Sequence, residues 1–119
     1  KLLNDIKQAL EKLGYKAYYG RSLAKPNDDW NYFVFNKSRT SRSGTNRMDY
    51  NKYYQVHFIC ENYIEEDFEF KIIKQVTKDT KLKLADTEIV FNYTTKNNTD
   101  RVVEICTIEF TKAKKGCEL

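Results

Sequence analysis

Residues 53–76 read YYQVHFICENYIEEDFEFKIIKQV and place an alternating run of side chains directly before a helical one. The first ten residues alternate between apolar and polar side chains, which is the period of a half-buried strand. We therefore expect a strand over residues 52–61, with its apolar side facing the core. The apolar side consists of Tyr54, Val56, Phe58 and Cys60.

The residues after this strand carry the signals of an amphipathic helix. Asn62 can act as an N-cap, with Glu65 reaching back to it from three residues further on. Negative charge at Glu66 and Asp67 suits the positive end of the helix dipole. Apolar residues then recur at every fourth position and form one stripe, which predicts a helix packed on a sheet. The stripe consists of Ile64, Phe68, Ile72 and Val76, widened by Ile73.

The other segments predict one more helix and further strands. Spacings of three and four between apolar residues indicate a first helix over residues 2–13, which Gly14 ends. Residues 15–19 suit a short strand, and the apolar content of residues 30–37 suits an interior strand. The remaining segments are a polar connection at 20–29, a connection or edge strand at 81–86, and a hairpin of strands 87–95 and 101–111 around the turn 96–100.

At 119 residues the chain is long enough to bury one core. These elements predict a single α+β domain over residues 1–113 and a polar tail over residues 114–119. The expected architecture is one mostly antiparallel sheet of about four or five strands with two helices packed on it. The expected order is α-β-β-(long loop)-β-α-β-β.

The stretch SRTSRSGTNRMDY, from Ser38 to Tyr50, is almost devoid of apolar residues. Its composition predicts a long flexible loop between two strands that becomes ordered on contact with a partner. The arginines along it make it a candidate interaction loop. They are Arg39, Arg42 and Arg47.

Charge is divided unevenly along the chain. Residues 1–52 hold eleven basic and five acidic residues, whereas residues 53–79 hold three basic and six acidic ones. Such polarity suits identical subunits that dock head to tail, although two independently solvated faces would produce the same asymmetry. The candidate subunit-interface acids on the predicted helix are Glu65, Glu66 and Glu69.

The sequence predicts no catalytic residue, no metal site and no cofactor. His57 is the only histidine, and it falls on the polar side of the central strand, which excludes most acid–base and metal arrangements. The helix carboxylates are accounted for by capping and a hydrated face. The four glycines are isolated and form no phosphate-binding loop.

Three cysteines in the sequence match neither a zinc site nor a disulfide framework, which predicts a reduced environment. Cys60 and Cys106 fall in predicted strands and are expected to be small buried apolar residues, whereas Cys117 is expected to be an exposed thiol. No stretch approaches the roughly 20 apolar residues that cross a membrane, so no membrane partner is expected.

Arginines in the predicted loop, together with nearby tyrosines, suit a clamp on single-stranded nucleic acid. The basic and aromatic residues do not follow each other at strand spacing, and the Lys/Arg-Gly-aromatic motif of RNA-binding sheets is missing. We therefore do not expect direct nucleic-acid binding. A small nucleic-acid- or protein-binding module that acts as a monomer or dimer is kept as the alternative function. The tyrosines at and just after the end of the predicted loop are Tyr50, Tyr53 and Tyr54.

The order of elements resembles that of the small tail-terminator and tail-completion proteins of long-tailed bacteriophages, also called head-tail joining or minor capsid proteins. The resemblance covers nearly the whole chain. It lies in LLNDIKQALEKLGYKAYYG at residues 2–20, NYFVF at 31–35, the polar loop, YYQVHFICEN at 53–62 running into the helix from Glu65, and RVVEICTIEFT at 101–111.

This resemblance implies an α+β fold with helices packed on a sheet and no active site. It also implies assembly into a ring, typically a hexamer, that caps the tail tube and meets the head connector. The implied partners are further copies of the chain, tail tube proteins and head connector proteins. The implied location is the virion, and the host cytoplasm during assembly.

Overall fold

The computed structural model describes residues 1–21, 29–42, 49–96 and 99–114. Over these residues the chain forms two helices and six strands. The helices are α1 (Leu2–Glu11) and α2 (Phe68–Asp79). The strands are β1 (Lys16–Tyr19), β2 (Asn31–Arg42), β3 (Tyr50–Glu61), β4 (Lys83–Leu84), β5 (Val90–Thr95) and β6 (Val102–Lys114). The α+β class is confirmed, and the predicted strand count was low because the short segment around residue 83 pairs as an edge strand.

The six strands form one mixed sheet in the order β1-β2-β3-β6-β4, with β5 also pairing with β6. β1 runs parallel to β2, and all other neighbours are antiparallel. Val56 lies at the centre, opposite Phe35 on one side and Ile108 on the other. β5 lies beside the first half of β6 and β4 beside residues 110 and 111.

The main core lies between the sheet and the two helices. Phe58 is 2% exposed, and its ring centroid lies 4.7 Å from that of Phe33 and 4.9 Å from that of Phe68. Burying a side chain of this kind contributes roughly 1.5–3 kcal/mol. The predicted apolar side of the central strand is confirmed. The shared cluster contains Tyr54, Val56, Phe58, Phe68, Ile72 and Val76, with Cys60 partly buried against it.

α2 begins later than the sequence predicts, so the expected cap at Asn62 is wrong. Asn62 has a φ of 74° and donates its N–H to the carbonyl of Val102 (2.8 Å), which keeps it on the sheet. Asp67, also at positive φ, precedes the helix without a side-chain capping bond. The ladder with β6 continues to Glu61, and the chain must then turn away. Asn and Asp tolerate the left-handed backbone of such a turn.

Much of the predicted long loop is strand. β2 continues to Arg42 and β3 begins at Tyr50, with these two residues in register. The register shifts between Lys37 and Arg39, which is a bulge at Ser38. The polar composition of residues 38–42 reflects side chains that are exposed or only partly buried on both sides of a paired ribbon. The loop assignment is therefore wrong for residues 38–42 and 50, and Arg47 lies outside the described residues.

The face opposite the helices holds a second, smaller cluster of Tyr32, Ile59 and Val103. His57 lies on this face, with Nδ1 2.8 Å from Thr107 Oγ1 and Nε2 3.2 Å from Asn36 Oδ1. Burial lowers the pKa of His57, which favours the neutral ring. The histidine is accounted for as one member of a polar row across the sheet.

Candidate interaction surfaces

One end of the sheet projects as a three-stranded ribbon, formed by residues 36–42, 50–55 and 109–114, and is called the basic ribbon below. Lys52 of β3 lies directly opposite Lys112 of β6 and Thr40 of β2. Like charges directly opposite each other destabilise a sheet, and an acidic partner would relieve this repulsion. The basic side chains described in the ribbon are Lys37, Arg39, Arg42, Lys52 and Lys112.

The predicted interaction arginines differ in what they contact. Arg39 Nη2 lies 3.2 Å from Glu109 Oε1, and its guanidinium lies 3.7 Å from the centroid of the Tyr53 ring. Ser38 Oγ donates to the other Glu109 oxygen (3.0 Å). Arg39 is thus engaged within the sheet, whereas Arg42 is exposed at the end of β2.

At the other end of β3, the start of α2 and the side of β5 enclose a pocket of about 250 Å³, called the acidic pocket below. All three of the predicted interface acids line it, so the structure brings Glu65, Glu66 and Glu69 together. The complete lining is Ile64, Glu65, Glu66, Asp67, Glu69, Phe91, Tyr93 and Glu104.

The acidic side chains of the pocket differ in their burial and in their contacts. Glu104 is buried and accepts hydrogen bonds from the Tyr93 hydroxyl and the Ile64 N–H, both at 2.7 Å. The hydrogen bond to Glu104 raises the pKa of Tyr93. Glu65 lies 3.7 Å from Lys71, and both side chains are exposed. Such a pair is worth little, so Glu65 remains available to another cation.

Sequence reasoning missed Phe91, Tyr93 and Glu104 as members of this pocket. They come from β5 and β6, and only the register of β6 with both neighbours brings them beside α2. One signal was present in the sequence, because Glu104 is a single acid inside the apolar run VVEIC. Tyr93 in the pocket is 60% exposed, and Tyr63, one residue before Ile64, is 67% exposed.

The basic ribbon and the acidic pocket lie at opposite ends of a long molecule. The molecule measures 51 × 25 × 23 Å. β3 runs from Tyr50 in the ribbon to Glu61 next to the pocket, and a strand advances about 3.3 Å per residue, so these two residues lie about 36 Å apart. The molecule therefore carries positive charge at one end and negative charge at the other.

A buried carboxylate joins the end of β3 to the hairpin of β5 and β6. Glu61 is 6% exposed. Its Oε1 lies 2.9 Å from Lys96 Nζ and accepts the Trp30 N–H (3.2 Å), while Arg101 bonds to Oε2. The hydrogen bond from Lys96, followed by that from Arg101, lowers the pKa of Glu61 to about 2. These contacts position the hairpin that carries the pocket wall.

Replacing Glu61 by Gln is expected to remove a pH-dependent part of the stability. A carboxylate whose pKa falls from 4.5 in the unfolded chain to about 2 in the fold stabilises the fold above pH 4.5 and loses this effect as the pH falls toward 2. The variant should be less stable than the parent at pH 7, and the difference should shrink toward pH 2. Urea melts at several pH values measure it. Glu65→Gln, at an exposed carboxylate, is the control, and a gap of constant size would contradict the prediction.

Within the ranges that the structure describes, no three His, Cys, Asp or Glu side chains are grouped to hold a metal ion. Burial raises the pKa of Cys106 to about 12, so its thiol is a poor nucleophile at pH 7. Cys60 is half-buried, and Cys117 lies beyond the described residues. Neither of the helices described is long and apolar enough to span a bilayer.

Comparison of the sequence with protein-family models gives no match, and comparison with curated proteins gives none either. The functional inference therefore depends on the two charged surfaces and on the resemblance in the order of elements.

Proposed function

We propose that the protein is a non-enzymatic structural subunit that assembles head to tail with further copies of itself. The observation that carries the proposal is the placement of the basic ribbon and the acidic pocket at opposite ends of one rod-like fold. A ring of identical subunits needs two different patches that meet, and these two surfaces are complementary in charge.

The energetics of such a contact divide between charge and apolar area. Pairs between exposed groups such as Arg42 and Glu66 contribute about 0–1 kcal/mol each and are screened by salt. Buried aromatic and aliphatic contacts supply most of the affinity in interfaces. The acidic pocket offers Tyr93, the exposed Tyr63 precedes the pocket residue Ile64, and Val90 on β5 is 43% exposed. Charge thus orients the subunits, and apolar contacts hold them.

We further propose that the assembly is a ring at the tail end or the head–tail neck of a long-tailed bacteriophage. The support is the resemblance in element order to tail-terminator and tail-completion proteins. The α+β fold, with both helices on one face of the sheet, agrees with that resemblance. The proposed partners are the tail tube and head connector proteins, in the virion and in the host cytoplasm during assembly.

Sedimentation velocity at several salt concentrations, with and without isolated tail tubes, tests this function. We expect an oligomer that depends on protein concentration and whose association constant falls at least about tenfold between low and high salt. Tail tubes should bind the protein and favour the oligomer. A strictly monomeric protein that ignores tail tubes yet binds single-stranded DNA or RNA with a steep salt dependence would contradict the proposal and support the binding-module alternative.

A further inference from the structure

β5 is an edge strand whose outer side is unpaired within the described part of the chain. It pairs with β6 alone. Lys96, the next residue, donates its N–H to the carbonyl of Arg101 (3.0 Å), and bonding in an antiparallel ladder alternates from that point. Every second residue of β5 therefore directs its backbone N–H and C=O away from the sheet. These residues are Phe91, Tyr93 and Thr95.

This edge lacks the features that normally prevent strand pairing. The sequence of β5, VFNYTT, contains no charged residue and no proline, whereas exposed edges are commonly protected by one or the other. The edge at β1 differs, because Ala17 donates its N–H to Glu11 Oε2 (3.3 Å) and Lys16 adds a charge. The outer side of β5 is thus the edge more open to another strand.

A second open edge runs along β2 in the basic ribbon. β1 pairs only with residues 32–35 of β2, and Gly20 donates its N–H to the carbonyl of Phe35 (2.9 Å). Odd residues of β2 up to the bulge therefore face outward. Beyond the bulge the even residues of β2 face outward instead. Arg39 is in register with Tyr53, whose backbone N–H and C=O point toward β2, so Arg39 bonds inward to β3. The outward residues of the ribbon are Lys37, Thr40 and Arg42.

The residues whose backbone groups point outward from the two open edges have their side chains on the same, helix-bearing side of the sheet. Phe91 is in register with Cys106, which belongs to the core beneath the helices. Lys37 is in register with Tyr54, another member of that core. A sheet continued from one edge to the other would therefore place basic side chains beside the acidic pocket.

We propose that the outer side of β5 in one subunit pairs with the outer side of β2, residues 36–42, in the next subunit. The inference rests on the proposed self-assembly and names its junction. β2 runs parallel to β6, and β5 runs antiparallel to both, so a neighbour in the same orientation forms an antiparallel pair. Pairing of β5 with another β5 would bring two acidic pockets together, which like-charge repulsion disfavours.

The junction staggers neighbouring subunits along the strand direction. β5 lies beside residues 102–107 of β6, whereas the open edge of β2 lies in the ribbon at the other end. A staggered sheet closes on itself only when its strands tilt relative to the axis, as in closed barrels. The proposed ring therefore has strands inclined to its axis.

Hydrogen exchange of the oligomer and of the dissociated subunit, quenched and resolved by residue, tests the junction. The outward amides of β5 and the amides of Thr40 and Arg42 should slow at least about tenfold on assembly, because pairing occupies them. The inward amides of Val90, Asn92 and Thr94 are already bonded to β6 and should change much less.

The outcomes separate this inference from the proposed function. An oligomer in which the outward amides stay fast would overturn the junction and leave the self-assembly intact. Slower exchange of the β5 amides without slower exchange at Thr40 and Arg42 would also overturn the junction, in favour of β5 pairing with β5 or with another protein. A chain that never associates would contradict the proposed self-assembly and the junction with it.

A matched pair of variants isolates the backbone contribution. Tyr93→Pro removes an outward N–H, whereas Tyr93→Ala removes the same side chain and keeps the N–H. Proline is tolerated on the outer side of an edge strand, so both variants should fold, which circular dichroism checks. We expect the proline variant to associate at least about tenfold more weakly than the alanine variant. Equal association would overturn the junction.

Discussion

Replacement of Phe68 by Ala is expected to destabilise the fold by about 3–5 kcal/mol, which is the typical cost of removing a buried phenylalanine side chain. Phe68 is 8% exposed and begins α2. Its ring lies 4.9 Å from that of Phe58 and 6.0 Å from that of Tyr15. The substitution removes the contact by which the helix holds the central strand, and it leaves a cavity between sheet and helices.

A control for this experiment lies two residues away on the same helix. Phe70 is 58% exposed, so Phe70→Ala should change the free energy of unfolding by about 0.5 kcal/mol or less. Both substitutions remove the same atoms and make the same change in helix propensity. The two positions differ in the burial of the phenylalanine side chain. Urea unfolding of the two variants measures the difference. Equal costs would show that α2 presents another face to the sheet.

The fold could be predicted from sequence wherever one face of an element is buried. In residues 53–61 the period of two assigns each side chain to a face, because a shift of one residue would expose the whole apolar set. The apolar stripe of α2 was equally informative, and Phe68, Ile72 and Val76 are all buried. The helix start was less predictable, since the turn at Asn62 depends on how far β6 extends the ladder.

The basic ribbon could not be predicted, because its described side chains, apart from Tyr54 and Phe110, are at least partly exposed. Residues 38–42 carry no apolar pattern, and their pairing depends on β3, which β6 supports from the other side. A polar stretch with this environment has the composition of a loop. The contact of Arg39 with Tyr53 and Glu109 also depends on the bulge, which the sequence does not mark.

The candidate site was predictable only where its residues are neighbours in sequence. Glu65, Glu66 and Glu69 were recognised together because they share the segment before and within the first turn of α2. Phe91, Tyr93 and Glu104 belong to the same pocket but are separated from them by more than twenty residues of chain. Their position depends on strand register, which hydrophobic periodicity constrains by face but not by partner.

Substitutions that reverse charges on the two surfaces should produce the largest effect on assembly. Glu65→Lys with Glu66→Lys reverses the two most exposed glutamates of the acidic pocket, and Lys37→Glu with Arg42→Glu reverses two basic residues at the open edge of the ribbon; all four side chains are exposed. In each double variant the substituted residues then meet residues of the same charge on the neighbouring subunit. Like-charge contacts cost several kcal/mol, so each alone should lose association by at least about tenfold. Lys74→Glu with Lys78→Glu, at exposed positions of α2, is the control and should associate normally.

Mixing these two double variants is the most direct measurement of head-to-tail assembly. In an equimolar mixture the unchanged ribbon of one variant meets the unchanged pocket of the other. At the alternate junction, the two new glutamates of one variant meet the two new lysines of the other. We predict that sedimentation velocity at low salt will show each variant alone as a monomer and the mixture as an oligomer in which the two variants alternate. Oligomers formed by either variant alone as readily as by the parent, or a mixture that stays monomeric while the parent assembles, would contradict the account.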